Sequence, residues 1–416
     1  MIVASREVQN PAYSPSLAVM IHESFFVKRF LAIISGEDVS FGASVIRFPL
    51  RILSVLHRIG LFFRNTYYRT LESLGLLPRA GCPVISVGNL SFGGTGKTPM
   101  VIWLAGRLSA AGLRVVILSR GYGAKNPGGK NDEAQEIERF LPEIPHLQSP
   151  DRVSAAREAV SRFHPDVILL DDGFQYRRLF RDVNIVLLDV TQCPVFSLFP
   201  AGLLREPVSA LRRADIVVLT RTNFDAKNTE FLKKTTAQYS KKDALCFTAA
   251  YHPVCFEDTY RREYAISDFR GKKNGVLCGI GNPHAFLRTL EAEGVINSPP
   301  PEGWLRNSRD GFGHVVIQTT SPSGGWESPP HPSGTTPQEG NVRIFPDHFP
   351  FFPSDIQKLE IWAKDGGFDA IFCTWKDLVK LNRETLGGVP VYALRIEMEI
   401  SEPERFLERI RQIMER

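Results

Sequence analysis

The sequence predicts an α/β protein: a mainly parallel sheet in a first unit, a second, smaller α/β unit after it, and an amphipathic helix ahead of both. Three observations predict this. Short β-branched runs alternate with helical segments between residues 83 and 220, a glycine-rich loop joins one such strand to the next helix, and the strand–turn–helix pattern returns from Gly275. Runs that are apolar at every position and bounded by helices belong to strands buried on both faces, as parallel pairing requires.

The bulk numbers fit this class. With 416 residues, 43% of them hydrophobic and 23% charged, the chain has the composition of a folded protein of two or three domains, not of a disordered, collagenous or coiled-coil one. A net charge of +5 is too small to point to nucleic acid, and no nucleic-acid partner is expected. The six cysteines are scattered with no C-x-x-C pair, which reads as reduced thiols in a cytosolic setting. The opening MIVASREVQN lacks the pattern of a signal peptide, and no 18-residue window is both apolar and uncharged, so a conventional spanning helix is not expected.

Residues 1–40 are weakly patterned. In the region 41–78 a helix is expected from Pro49 to about Leu71, because Ile52, Leu56, Ile59 and Phe63 recur at helical spacing and form one apolar stripe. Proline is tolerated near a helix start, where its missing N–H would be unpaired anyway. Residues 39–71 carry five Arg and no acid, with Arg51, Arg58 and Arg69 on one flank of the stripe. Such a helix lies in a membrane interface with its Arg near anionic headgroups, or packs on its own domain; the pattern alone leaves both open.

The first unit is expected over 79–235, with strands at Pro83–Val87, Val115–Leu118, Val167–Leu170, Ile185–Leu188 and Ile216–Leu219. In parallel sheets ligands collect at the carboxyl ends of the strands, where Asp171, Asp172, Asp189 and Arg221 fall. The second unit is expected over 236–416, with a strand at Val276–Cys278, a turn and a helix through Leu290, and a further strand at Ala370–Thr374. Residues 297–341 interrupt it; the stretch SPSGGWESPPHPSGTTP holds five Pro and three Gly in 17 residues and reads as a flexible surface insertion.

Chemistry concentrates in the first unit. Ser91, Phe92, Gly93, Gly94, Thr95, Gly96, Lys97 and Thr98 follow a strand and precede a helix, which makes them a phosphate-binding loop and the sheet P-loop NTPase-like. Its glycines let backbone N–H groups converge on phosphates at the helix N-terminus. Lys97 would neutralise the β/γ oxygens of ATP and the Thr98 hydroxyl would ligate Mg²⁺. Asp171 and Asp172, at the end of another strand, are either acidic partners of that Mg²⁺ or helix caps, and Gln175 follows them in the same turn. Arg120, after a third strand, either approaches anionic groups or belongs to a plain Gly turn. Arg205 sits in a loop suited to phosphate recognition if it points inward. Asp132 with Glu133, and Asp347 with His348, are candidates of weaker pattern: the first pair reads equally as solvated surface, the second as structural.

Taken together these segments resemble the tetraacyldisaccharide 4′-kinase (lipid A 4′-kinase) family. Val87–Pro99 matches that family's phosphate loop, in which a hydroxyl residue such as Ser91 is normal. Ser119–Gly123, Asp171–Gln175, Pro200–Glu206, Phe345–His348 and Lys376-Asp377 follow in the family's order, and the likeness spans roughly 41–395 apart from the insertion. Asn131 and Ala134 stand where the family usually has Gly and Pro, and Phe349 where a polar residue is frequent. The resemblance implies a peripheral or monotopic enzyme on the cytoplasmic face of the bacterial inner membrane. Such an enzyme moves the γ-phosphate of ATP to the 4′-hydroxyl of a tetraacylated glucosamine disaccharide 1-phosphate, giving lipid IVA. It also implies that Asp132 is the base on that hydroxyl, paired with His348, and that two domains close around ATP. Two other classes share the loop: a P-loop ATPase or GTPase with a protein client, and a non-catalytic nucleotide-binding membrane protein.

Overall fold

The structure, a computed structural model, describes residues 40–121, 132–192, 197–296, 341–345 and 349–415, together with Phe30, Ile33, Ile34 and the pairs 308–309 and 315–316. Nearly all of the expected insertion lies outside these residues, as do Asp347 and His348, and of Asp132 only the backbone is described. Five cysteines are described, all free thiols, with Cys255, Cys278 and Cys373 buried.

Helix α1 spans Phe41–Ser73. It begins ahead of Pro49 because Ser40 caps it, the hydroxyl accepting from Ala43 N at 3.2 Å. Pro49 therefore lies inside the helix. The carbonyl that loses its donor belongs to Val45, which is exposed, so water can take that place. The inward face runs Ser54, His57, Leu61, Arg64. Ser54 Oγ donates to Leu198 O at 2.9 Å, a ring nitrogen of His57 lies 2.8 Å from Phe199 O, and Leu61 is buried. Glu206, fully buried, accepts from Arg64 at 2.8 Å and Arg213 at 2.7 Å. A buried carboxylate alone would cost several kcal/mol, so the two guanidinium groups make this joint tolerable and fix the helix on the sheet unit.

The first unit continues with β1 (Val84–Asn89), α2 (Lys97–Ala110), β2 (Val115–Ser119), α3 (Asp132–Phe140), β3 (His146–Gln148), α4 (Arg152–Phe163), β4 (Val167–Asp171), β5 (Val183–Asp189), β6 (Ile216–Thr220) and α5 (Ala226–Tyr239). Next come β7 (Leu245–Glu257), β8 (Glu263–Tyr264), β9 (Asn274–Cys278), α6 (Pro283–Ala292), the pair β10 (Ser308–Arg309) and β11 (Val315–Val316), β12 (Val342–Ile344) and α7 (Pro353–Gly366). The chain closes with β13 (Ala370–Cys373), α8 (Trp375–Leu381), β14 (Thr385–Leu386), β15 (Val389–Ile400) and α9 (Pro403–Met414). Strands β1, β2, β4, β6, β9 and β13 are buried at every residue, which is why their sequences are continuous apolar runs.

One sheet carries both units, in the order β12-β9-β13-β15-β7-β6-β5-β1-β4-β2-β3. Every pair along that path is parallel except β15 with β7. Residue 236, where the second unit is expected to begin, lies within α5, and β7 pairs with β15 in the middle of the sheet. The near half of β7, Leu245–Ala249, pairs with β6, while its far half runs on beyond β6 and pairs with β15 and, at Phe256 and Glu257, with β8. Because β15 is antiparallel to β7, the second unit's strands run back toward the first, and the carboxyl ends of the two parallel sets face each other. The ribbon shifts register between Arg395 and Ile396, opposite Pro253. Proline has no N–H for the ladder, and a bulge is one of the few places a sheet accepts it.

Candidate active site

The phosphate-binding loop leaves the carboxyl end of β1 and enters α2. Gly96 caps α2 with φ +88°, and a Cβ there would lie 1.8 Å from Tyr251 Oη, so only glycine fits. No side chain caps this helix, which leaves its first N–H groups for a ligand. Asn89 Nδ2 donates to Thr95 Oγ1 at 2.9 Å, Thr220 Oγ1 to Thr95 O at 3.0 Å, and Arg221 Nη1 to Gly94 O at 2.9 Å while also pairing with Asp189. The loop is thus held from three neighbouring strand ends.

A second layer covers it. Phe92 N donates to Leu203 O at 2.8 Å and Arg205 N to Leu90 O at 2.7 Å, so the 198–206 segment is bound edge-on to the phosphate loop. The Arg205 guanidinium lies 4.8 Å over the Phe92 ring and donates to both oxygens of Asp172 at 3.0 and 3.2 Å. Lys97 Nζ is 3.5 Å from Asp172 Oδ1. Gly88 matters for this arrangement: a Cβ on it would sit 2.6 Å from Phe174 Cβ, so glycine lets the Asp171–Gln175 turn press against β1.

The two aspartates have opposite environments. Burial would raise Asp172, but Lys97 and Arg205 hold it below the usual carboxylate range. Asp171, 3% exposed, is pushed up to about 7 by burial and then by the charges of Glu133 and Asp172. Its Oδ1 accepts from Asp172 N at 2.9 Å. Lys97, Arg205 and Arg152 offset the charge of these carboxylates, and the oxygen donors of Asp171 and Asp172 are of the kind a small hard dication takes. Buried acceptors nearby, Asn89 Oδ1 and Gln175 Oε1, have no hydrogen-bond partner among the described residues, which also fits a site made for a polar ligand.

This electrostatic balance has a consequence for stability. With Asp171 near 7 in the fold and about 3.9 in the unfolded chain, the folded state holds a proton that the unfolded chain releases between those values. Stability of the metal-free protein should therefore fall as pH rises from about 4 to about 7. Thermal melts of wild type and Asp171→Asn across that range should show a shallower slope in the variant, and millimolar Mg²⁺ near neutral pH should stabilise only the wild type. Parallel slopes would contradict the assignment.

The structure brings together Ser91, Phe92, Gly93, Gly94, Thr95, Gly96, Lys97, Thr98, Asp171, Asp172 and Arg205, with Glu133 near enough to raise Asp171. Gln175 Nε2 donates to Asn89 O at 2.7 Å and so ties the acidic turn to β1. Arg120 is exposed just past β2, close enough for its charge to oppose that of Arg152. Asp132 is the first residue of α3; Asp347 and His348 lie outside the described residues. Sequence reasoning missed Tyr251, Thr191, Gln192 and Arg152. Arg152 Nη2 donates to Asp171 O at 3.1 Å, and Ser91 Oγ donates to Gln192 Oε1 at 3.4 Å. None of the four lies in a motif, although Thr191 and Gln192 sit in the short turn that follows β5, and that position was the available signal.

The comparisons with known proteins agree with this geometry. The family model described as tetraacyldisaccharide-1-P 4′-kinase (LpxK) matches residues 46–299. A tetraacyldisaccharide 4′-kinase from Syntrophus aciditrophicus is 33% identical over 383 residues, covering 86% of this chain and 90% of its own. Another from Anaeromyxobacter sp. strain Fw109-5 is 37% identical over 386 residues, covering 88% and 91%. The crystal structure titled as the "apo" form of LpxK from Aquifex aeolicus in complex with ATP superposes with a TM-score of 0.62 at 28% identity, over 89% of this chain and 99% of that one. A family model matched over more than half of the chain, and relatives above 30% identity aligned over most of it, lead to one conclusion: the chain belongs to the tetraacyldisaccharide-1-phosphate 4′-kinase (LpxK) family.

Proposed function

We propose that this chain transfers the γ-phosphate of ATP to the 4′-hydroxyl of a tetraacylated glucosamine disaccharide 1-phosphate, giving lipid IVA, while seated on the cytoplasmic face of the inner membrane. The observation that carries the chemistry is the convergence of Lys97, Arg205, Asp171 and Asp172 on one uncapped helix N-terminus. Backbone N–H groups of the loop and Lys97 would take the β- and γ-phosphate oxygens. An incoming triphosphate competes with Asp172 for Lys97 and Arg205, moving two cations from a carboxylate to the reacting phosphate. Thr98, Asp171 and Asp172 would hold Mg²⁺, which when bound neutralises charge on the phosphate oxygens.

The acceptor hydroxyl is a poor nucleophile until it loses its proton. As its oxygen bonds to the γ-phosphorus and the bond to the β–γ bridging oxygen breaks, that proton passes to the Asp132 carboxylate, with His348 as its partner, and ADP leaves. Arg205 faces the same phosphoryl group, where charge spread over the equatorial oxygens needs a fixed cation.

The membrane reading rests on α1. Phe48, Leu56, Phe62 and Phe63 are each more than half exposed, and Ile52 and Ile59 about half, so the predicted stripe faces away from the protein while the polar face packs on it. Each such side chain gains roughly 1.5–3 kcal/mol on full transfer out of water, and each basic residue beside an anionic surface about 1 kcal/mol. Together these outweigh the cost of holding the protein at an interface. No helix among the described residues is long and apolar enough to cross a membrane, so the contact would be peripheral or monotopic.

Two measurements test the proposal. Nucleotide turnover should depend on the lipid acceptor: hydrolysis as fast without lipid as with it would favour an ATPase acting on a protein client. In flotation with vesicles rich in anionic lipid, the wild type should float and the double variant Ile52→Asp, Phe63→Asp should not, while both phosphorylate detergent-solubilised acceptor equally. Equal flotation would remove the interfacial role of α1.

A further inference from the structure

Helix α3, whose first residues are Asp132 and Glu133, packs on α2 and β3 of its own unit, with Ile137 and Ala134 buried. Its outer side is held from the far end of the chain. Arg139, 7% exposed at its side chain, forms an ion pair with the equally buried Glu257 of β7, and its guanidinium stacks 3.0 Å from the centre of the Trp375 ring at the head of α8. Burial lowers Arg139 to about 10, which still leaves it charged at neutral pH. One turn earlier, Glu136 Oε2 lies 3.3 Å from Lys376 Nζ, an ion pair without hydrogen-bond alignment, and both side chains are at least three-quarters buried.

Trp375 and Lys376 are themselves rigid. Thr374 caps α8, its hydroxyl donating to Asp377 Oδ2 at 2.6 Å, and the same carboxylate oxygen accepts from Gly279 N at 3.1 Å in the turn after β9. Asp377 thus anchors the start of α8 to the second unit's sheet, while its neighbours Trp375 and Lys376 reach α3 of the first unit. Adjacent residues divide the work between anchoring and reaching.

We propose that Trp375 and Lys376 are positioning residues: through Arg139 and Glu136 they set the place of α3, and hence of the acceptor base at its head, relative to the phosphate loop. This rests on the reading of Asp132 as that base. Displacing a reacting group by about 1 Å can cost on the order of 10²-fold in rate, so a clamp at Glu136 and Arg139, further along the same helix, acts on kcat rather than on nucleotide binding.

The test compares Trp375→Ala, Trp375→Phe, Lys376→Glu, the charge exchange Lys376→Glu with Glu136→Lys, and Asp132→Asn in full-length protein, using Mg-ATP and the detergent-solubilised acceptor. Trp375→Ala and Lys376→Glu should each lower kcat about 10- to 100-fold with KM for ATP within about twofold of wild type. Trp375→Phe and the charge exchange should recover most of the loss, and Trp375→Ala should add little on top of Asp132→Asn. The positioning role is overturned if Asp132→Asn abolishes transfer while Trp375→Ala and Lys376→Glu leave kcat intact. It is also overturned if kcat and melting temperature fall while KM for ATP rises, with no rescue. Full activity in Asp132→Asn would overturn the base reading itself, and the inference with it.

Discussion

Replacing Lys97 by Met should lower kcat for phosphate transfer roughly 10²–10³-fold, the usual loss when one preorganised charge facing the transition state is removed. Methionine keeps the length and apolar stem of lysine, so the helix start and its contact with Tyr251 should survive. Stability should hardly change: the Lys97–Asp172 pair is partly exposed, and such pairs contribute about 0–1 kcal/mol. The expected signature is therefore a catalytic defect without a thermal one, read by steady-state kinetics beside a melting curve. A folded Lys97→Met variant with near-normal turnover would show that the loop does not hold the reacting phosphates.

The second large effect is expected at Asp132. Asparagine there keeps the size of the side chain but cannot accept a proton, and loss of a general base costs about 10²–10⁴-fold. KM for ATP should stay close to the wild-type value, because the nucleotide is held by the loop and not by α3. The acidic limb of the pH–rate profile should change shape in this variant, since the ionising base is gone. Retained turnover with an unaltered profile would assign the proton to another group, with Glu133 the nearest carboxylate on the same helix.

Much of this was legible in the chain. The buried parallel strands betray themselves as unbroken apolar runs, and the loop from Ser91 to Thr98 needs its glycines for steric reasons that any observer of the spacing can state. The position of α1's stripe was also readable, although not the start of the helix: Ser40 was the signal, and Pro49 drew attention away from it. The ribbon of β7 and β15 was not legible. Both strands have one partly exposed face, so their sequences alternate, and Pro253 inside β7 argues against a strand until the bulge opposite it is known. With the ribbon hidden, so was Tyr251 behind Gly96, and so was the fact that the two sets of strand ends face one another. Long-range pairs such as Arg139 with Glu257, or Lys376 with Glu136, follow from that reversal and carry no local pattern at all.

The most direct test incubates the purified full-length protein with Mg-ATP and a tetraacyldisaccharide 1-phosphate in detergent, then analyses the lipid by mass spectrometry and phosphorus NMR. The account predicts a product heavier by one phosphate, with the new monoester on the 4′ oxygen and one ADP released per lipid modified. Nucleotide consumed with the lipid unchanged, or phosphate found at a position other than the 4′ oxygen, would contradict it.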